Sequence, residues 1–242
     1  MTPNEKKLIE TVRTGQVQEL VRMLDCGADP SVRNDHGETL LHLAARNGHA
    51  WCVRVLISHG ADLSARSNTG ATPLHLAAWG GHTESARLLL ARGADPCLRD
   101  GNGDTPLHLA ALYGHDDCVL AFLERGANPN IRGNDDGTPL HLAAQFGRLD
   151  STRILLAHGA DPVARDNDGD APLHFAAREG WSDGLRLLLD QGANPELRNS
   201  EGRTARDLAL EYNEADCVDL LDAHAAGECL DAPWETQRGG PA

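Results

Sequence analysis

Two short phrases recur along the chain with one period of 33 residues, and this repetition limits the possible folds more than any other feature. Thr-Pro-Leu-His begins at Thr72, Thr105 and Thr138, with weaker copies that begin at Thr39, Ala171 and Thr204. Gly-Ala, followed by Asp or Asn, keeps the same spacing and begins at Gly27, Gly60, Gly93, Gly126, Gly159 and Gly192. Because two independent phrases share one period, the sequence predicts a repeat protein whose units pack on their neighbours.

The order of residues within a unit resembles that of the ankyrin repeat. Gly-x-Thr-Pro-Leu-His-Leu-Ala-Ala-x-x-Gly-His is followed by a Leu-rich run and by Gly-Ala-Asp, and the resemblance extends over roughly residues 5–226. It implies an all-α repeat solenoid of helix pairs joined by β-hairpin fingers, a stack of about seven units. Function follows from it only by analogy, because a scaffold does not dictate what binds to it.

The period also predicts where the domain begins and ends. We expect one domain over residues 1–226, with units near 5–38, 39–71, 72–104, 105–137, 138–170, 171–203 and 204–226. The first and last units lack the Pro-Leu-His phrase and are interpreted as polar caps. Residues 227–242 are rich in Gly, Pro and polar side chains, which predicts a disordered tail. In this tail, Leu230 and Trp234 either fold back over the last unit or form a short recognition motif.

Individual residues in a unit have predictable roles. Thr105 is expected to cap a helix, and Pro106 suits its first turn, where a missing N–H has no cost. Leu107 and Ala110 lie on one apolar stripe. Gly114 should end the helix in a left-handed conformation. In the finger over residues 133–137, Asp136 stands where the other fingers have Gly, and we expect a locally altered turn there because Asp tolerates the left-handed region.

Composition limits the classes of partner. The formal net charge is −14, from 22 basic and 36 acidic residues, and such a surface repels nucleic acid. A protein or peptide with basic residues around an apolar core suits it better. The chain contains no run of 18 apolar residues and no apolar signal region, so we expect no membrane contact. We therefore expect a cytoplasmic monomer without a cofactor, with the nucleus as the alternative location.

The cysteines and histidines are interpreted as structural. Cys52, Cys118 and Cys217 share one repeat position, and helices two units apart lie roughly 16–20 Å from each other, too far for a disulfide. They are expected to be buried in a reducing compartment. In ankyrin repeats the phrase histidine bonds the backbone of the next unit, and this role is assigned to His42, His75, His108, His141 and His174. Ligands spread one per unit cannot converge on a metal ion, so an enzyme is a remote alternative.

Function is expected where matched positions differ. The two residues before the glycine that ends each first helix are Arg46-Asn47, Trp79-Gly80, Leu112-Tyr113, Gln145-Phe146, Arg178-Glu179 and Glu211-Tyr212. They lie about 140° and 240° around the helix from the stripe leucine, away from the core. In the ankyrin family this region and the finger tips line the concave surface that binds partners. The alternative is that these large side chains cover neighbouring units or are tolerated singly on the surface.

The remaining aromatic residues are assigned differently. Trp51 begins a second helix, while Phe122 and Phe175 fall at leucine positions, so all three are predicted to pack in the core. Trp181 replaces a repeated histidine, and its role is left open. Tyr212 occupies the variable position of the last unit.

The fingers supply charge around the variable positions. An arginine ladder occupies one repeat position at Arg33, Arg66, Arg99, Arg132, Arg165 and Arg198, and acidic residues stand close by. We expect most of these arginines to pair with acids of the same finger, which leaves an excess of acid to select a basic partner. The expected partner-binding residues are Trp79, Leu112, Tyr113, Gln145, Phe146, Arg46, Arg178, Asp104, Asp135 and Asp136.

These observations predict a non-catalytic interaction scaffold that binds a protein or peptide across its central units. Trp79, Tyr113 and Phe146 are its expected anchors, because exposed apolar area usually marks an interface and Trp and Tyr dominate binding energy. The alternative within the same class is an assembly chaperone or inhibitor that clamps one subunit of a larger complex. A designed consensus repeat is disfavoured by the six cysteines and the irregular caps.

Overall fold

A computed structural model describes residues 1–133 and 135–227. Over these residues it contains fourteen α-helices. They are α1 (Pro3–Arg13), α2 (Val17–Asp25), α3 (Leu40–Arg46), α4 (Ala50–Ser58), α5 (Pro73–Trp79), α6 (Thr83–Ala91), α7 (Pro106–Tyr113), α8 (Asp116–Glu124), α9 (Pro139–Gln145), α10 (Leu149–Ala157), α11 (Pro172–Arg178), α12 (Ser182–Asp190), α13 (Ala205–Glu211) and α14 (Ala215–Ala225).

The helices form two layers along one stack. Each odd-numbered helix packs on the even-numbered helix that follows it and on the next odd-numbered helix. The even-numbered helices likewise pack on one another in order. A continuous apolar core therefore runs between neighbouring pairs, as the predicted all-α solenoid requires. The division into seven units with the bounds given above stays a prediction.

The repeated phrase forms the helix starts that were predicted from it. Thr105 is the extended N-cap of α7, and Pro106 follows it in the first turn. Leu107 and Ala110 are fully buried. Gly114 ends α7 with a φ of 70°, in the left-handed region that a side chain would disfavour.

In the described residues, the fingers are hairpin-like turns without a regular strand. In the finger before α7, the N–H of Asp100 donates to the carbonyl of Asp104 at 2.8 Å, and the N–H of Gly103 donates to the carbonyl of Asp100 at 3.1 Å. Over the residues described, the only β-type pairing is an isolated bridge between Arg33 and Thr39, because arms this short cannot build a ladder. Asp136 has a φ of 60°, in the left-handed region that Asp was expected to tolerate. The glycines at the equivalent position of the other fingers have φ values of 68–85°, so the backbone at this position is not altered, contrary to the prediction.

The arginine ladder bonds differently from the prediction. Arg66 donates to the carbonyl of Gly70 at 2.8 Å in its own finger and to that of Arg99 at 2.6 Å in the next finger. Arg132 is an exception, since it also contacts the carboxylate of Asp136, at 3.0 Å. The expectation of general Arg–Asp pairing within fingers was wrong. Turn carbonyls lack partners in a segment without strands, and a guanidinium with five donors can bond several of them at once.

Three cysteines and Trp51 were predicted to pack in the second helix of each pair, which is even-numbered in the structure. Cys52, Cys118 and Cys217 are fully buried, as predicted, and burial raises the pKa of the Cys52 and Cys217 thiols to about 11. The prediction that Trp51 packs in the core was wrong, because its side chain is 65% exposed. Trp51 occupies the first turn of α4, where the ring faces solvent and lies 4.9 Å from the guanidinium of Arg54.

The other two core aromatics and Trp181 all contribute to packing. Phe122 is fully buried, and Phe175 is partly buried against the core. Trp181 caps α12 and also packs on the core. Its ring lies where a Cβ of Gly184 would stand, so the missing side chain of Gly184 makes room for the indole.

The predicted tail falls almost entirely beyond the last described residue, and Leu230 and Trp234 lie outside the described residues. Within the described part of the chain, none of the helices combines the length and apolar character needed to cross a bilayer.

Candidate functional site

Three aromatic side chains project from the ends of consecutive odd-numbered helices. Trp79 ends α5, Tyr113 ends α7, and Phe146 directly follows α9. Their exposed fractions are 45%, 41% and 47%, so none is sealed between units. Because α5, α7 and α9 pack side by side, these residues stand in one row along the stack, which we call the aromatic strip.

Two rings of the aromatic strip, Trp79 and Tyr113, are held in place by contacts with each other and with neighbouring side chains. Trp79 and Tyr113 meet edge to face, with ring centroids 6.2 Å apart and planes at 79°. Tyr113 stacks on His115 at 6.1 Å, and Nε2 of His115 lies 3.1 Å from the carbonyl oxygen of Trp79. The guanidinium of Arg46 lies 5.6 Å from the Trp79 ring. Preorganised aromatic side chains lose little entropy when they bind a partner, which suits them as anchors.

The other predicted residues of the helix ends are less accessible. Leu112 and Gln145 are half-buried beside the aromatic strip. Arg46 is already paired with Glu38, at 2.9 Å. Arg178 bonds Glu179 at 3.1 Å and covers the Phe175 ring at 4.7 Å. Both basic residues therefore have partners within the chain.

The predicted acidic residues divide into two groups. Asp136 is turned towards Arg132 in its own finger. Asp104 and Asp135 instead line a common cavity of about 310 Å³, together with Asn102, Gly133 and Leu142. The structure thus brings two of the three acids together, on the finger side of α7.

The surroundings of the Asp104 carboxyl disfavour its ionised form. Burial raises its pKa to about 6, and the nearby charges of Asp100 and Asp135 act in the same direction. Only Arg99 opposes this shift, weakly. A carboxylate in this state would be stabilised by any cation that reached it.

One functional feature was missed at the sequence level. Glu38 and Arg46 occupy the same repeat positions as Asp104 and Leu112, and the first pair forms an ion pair while the second cannot. At the other end of the stack Arg203 and Glu211 occupy these positions and bond with the charges exchanged. Reading the two positions together, eight residues apart, would have revealed this signal.

The repeated histidines form a structural ladder. In His42, Nδ1 lies 3.1 Å from the N–H of the cap residue Thr39, and Nε2 lies 3.0 Å from the carbonyl of Ala71 in the next unit. The same arrangement recurs at His75, His108, His141 and His174. Burial lowers the pKa of each ring, to about 4 for His42, His108 and His141. This arrangement confirms their predicted structural role.

Side chains that could bind a metal ion are spread along the stack. In the part of the chain that the structure describes, no three His, Cys, Asp or Glu residues are grouped so that they could hold one.

Comparisons with known proteins agree with this architecture. A family model described as ankyrin repeats, in three copies, matches residues 8–100, 92–166 and 163–229. The crystal structure of the human ASB11 ankyrin repeat domain is 28% identical, with a TM-score of 0.80 and coverage of 100% of both chains. The ankyrin repeat domain of Bcl-3, described as a unique member of the IkappaB protein family, is 29% identical, with a TM-score of 0.77. That match covers 92% of this chain and 98% of the Bcl-3 chain.

Proposed function

We propose that this chain, which belongs to the ankyrin repeat family, is a non-catalytic adaptor that binds a protein or peptide on the concave face of its central units. Ankyrin repeats generally mediate protein–protein interaction, so the binding class follows from the family. The face is our proposal. Trp79, Tyr113 and Phe146 are its anchors, with Leu112 and Gln145 at their side.

The observation that carries this proposal is the exposure of the aromatic strip. Three large aromatic side chains in consecutive units are each more than 40% exposed, although the core of the stack is built mainly from Leu and Ala. Contiguous apolar surface of this kind usually marks an interface. Two of the rings brace each other, so truncating one also removes the support of its neighbour.

The partner chemistry follows from the surroundings of the strip. The chain carries a net charge of −14, and Asp104 and Asp135 lie on the finger side of α7. A complementary segment has an apolar centre and basic flanks. The same negative charge repels the phosphates of nucleic acid, so we do not propose nucleic acid as a ligand. We propose that the chain is a monomer when free.

The test uses peptides selected from a random library displayed on phage against the full chain. Trp79→Ala and Tyr113→Ala should each weaken the binding of a selected peptide by about 2 kcal/mol or more, which is over tenfold in Kd. Calorimetry measures this loss. Trp51→Ala is the matched control, because Trp51 is also an exposed tryptophan but lies in the other helix layer. Its affinity should equal that of the parent.

Thermal unfolding of all three variants should stay close to the parent, and sedimentation should show a monomer. Equal affinities of the parent, Trp79→Ala and Tyr113→Ala would contradict the proposed face. A loss only in Trp51→Ala would move the binding site to the other helix layer.

A further inference from the structure

The residue that precedes each helix cap in the odd-numbered layer is acidic in three units, and two of these acids have partners. Glu38 accepts hydrogen bonds from Arg46 at 2.9 Å and from the Asn34 amide at 2.8 Å. Asp170 accepts one at 2.8 Å from the amide of Asn199, which lies in the next finger. Buried carboxylates need such donors, because leaving one without a partner is costly.

Asp104 is the third of these acids, and each of the three partner positions around it carries a residue that cannot donate. Leu112 stands where Arg46 pairs with Glu38. Asp100 stands where Asn34 donates its amide, and Gly133 stands where Asn199 does. Among the described residues no side chain bonds the Asp104 carboxylate.

The space around this carboxylate is open rather than filled. Asp104 lines the cavity of about 310 Å³ between two fingers, and Asp135 lines it from the next finger. A Cβ added at Gly133 would stand 2.6 Å from Oδ1 of Asp104, so the carboxylate borders the place where the next finger lacks a side chain. A ligand group can therefore reach Asp104.

Leu112, which stands where a cationic side chain would pair with Asp104, lies next to the aromatic strip. Arg46 reaches Glu38 from the end of its helix and lies over the Trp79 ring at the same time. Leu112 has the equivalent place in α7, directly before Tyr113. By analogy with Arg46 and Glu38, an arginine that a ligand places beside Tyr113, at the site of Leu112, is within reach of Asp104.

We infer that the partner of the aromatic strip supplies an arginine side chain that binds Asp104, in the place that Arg46 fills for Glu38. This inference rests on the proposed function and specifies the ligand of the same surface. The guanidinium replaces three absent donors at once, because it carries five N–H groups in a planar fork. Asp100 and Asp135 add attraction without offering a competing cation.

The test continues with the peptides selected on the full chain. Selected sequences should combine an apolar residue with an arginine. Replacing that arginine with citrulline, which keeps the shape but removes the charge, should weaken binding about tenfold or more. Asp104→Asn should cause a similar loss, and the two changes together should cost little more than either one, since they remove the same contact.

Three variants control this result. Asp219→Asn changes the net charge equally at an exposed site in α14 and should leave the affinity unchanged. Leu112→Arg should occupy Asp104 from within the chain and abolish the preference for arginine peptides, while the uncharged Leu112→Met should not. Carboxyl carbon NMR should show that Leu112→Arg lowers the pKa of Asp104.

Acid should weaken the binding of arginine-containing peptides, as Asp104→Asn does. The affinity is expected to fall as the pH drops through about 6, where the Asp104 carboxyl gains its proton. Asp100, Asp135 and Arg99 surround this carboxyl, and nearby His108 stays neutral over that range because burial lowers its pKa to about 4.

Several outcomes would overturn the inference. They are a library that yields no binder, selected peptides without a cation, an unchanged affinity in Asp104→Asn, and fully additive losses in the double change. Peptides that respond to Trp79→Ala but not to Asp104→Asn would leave the proposed function standing. Peptides that respond only to Asp104→Asn would instead contradict the aromatic strip.

Discussion

The positions of Glu38 and Arg46 near one end of the stack correspond to those of Asp104 and Leu112 at its centre. Near the end, the Glu38 carboxylate is only 4% exposed and forms an ion pair with the guanidinium of Arg46 at 2.9 Å. At the centre, the carboxyl has an apolar neighbour instead and its pKa is raised to about 6. Arg203 and Glu211 close the same positions at the other end. The end units satisfy their own charges, whereas no described side chain bonds the Asp104 carboxylate in the central unit.

This difference is confined to the surface, since both regions share one interior. Leu41 and Leu107 are equivalent and fully buried, and the histidine ladder crosses every odd-numbered layer contact from α3 to α13. Binding specificity can therefore vary without a change of fold. The largest effects are expected in the shared interior and the smallest at the surface charges.

The largest effect should come from acid acting on the histidine ladder. The pKa of each ring is lowered in the folded chain, to about 4 in His42, His108 and His141, against about 6.5 when unfolded. The stability that the neutral rings provide is complete above pH 6.5 and is lost as the pH falls towards 4. The free energy of unfolding in urea, followed by circular dichroism, should drop by several kcal/mol over this range. Earlier acid unfolding of one end alone would break the claim of a common interior.

Truncation of the core should affect both regions equally. Leu41→Ala and Leu107→Ala should each lower the free energy of unfolding by about 3 kcal/mol, from lost burial and a cavity. Leu210→Ala is the control, because this leucine is 51% exposed, and it should cost less than about 1 kcal/mol. Chemical denaturation measures all three. A much smaller loss at Leu107 would mean that the centre is packed more loosely than the end.

Removal of the side chain at the matched surface position should separate the two regions. Arg46→Ala leaves the Glu38 carboxylate, which is only 4% exposed, without its cation, and should cost about 2 kcal/mol. The half-exposed arginine keeps this below the cost of breaking a fully buried pair. Leu112→Ala should cost about 1 kcal/mol or less. Equal losses in urea unfolding would remove the electrostatic distinction.

The smallest effects should have opposite signs. At pH 8, Glu38→Gln should destabilise the fold by about 1 kcal/mol, because it weakens the bond to Arg46. Asp104→Asn should stabilise it by about 1 kcal/mol, because the ionised carboxylate is disfavoured in the folded chain. A raised pKa of about 6, against an ordinary 3.8, places this penalty above pH 6 and removes it as the pH falls towards 4.

Differential scanning calorimetry at pH 8 and pH 4 checks this pair of variants. The gain in Asp104→Asn should be present at the higher pH and absent at the lower one. If Asp104→Asn were destabilising at pH 8, the carboxylate would have a donor in the folded chain, and the contrast with Glu38 would fail.

Much of this molecule could be predicted from single positions. The 33-residue period predicted a repeat protein, and the resemblance to the ankyrin repeat implied the helical stack. The variable positions predicted that Trp79, Tyr113 and Phe146 are exposed. The left-handed turn at Asp136 followed from its place among the finger glycines. Trp51 was assigned wrongly, because its place at a helix start did not show whether the ring points towards the core or towards solvent.

The sequence by itself determined the layers, the helix starts and the buried histidines, because each depends on residues that every unit repeats. Only the tertiary structure decided where the finger arginines donate and which acids lack a partner. Those contacts join neighbouring fingers, as from Arg66 to Arg99 or from Asn199 to Asp170. They depend on the distance between units, which a one-dimensional period does not specify. Only these contacts identify Leu112, Asp100 and Gly133 as the positions from which Asp104 receives no donor.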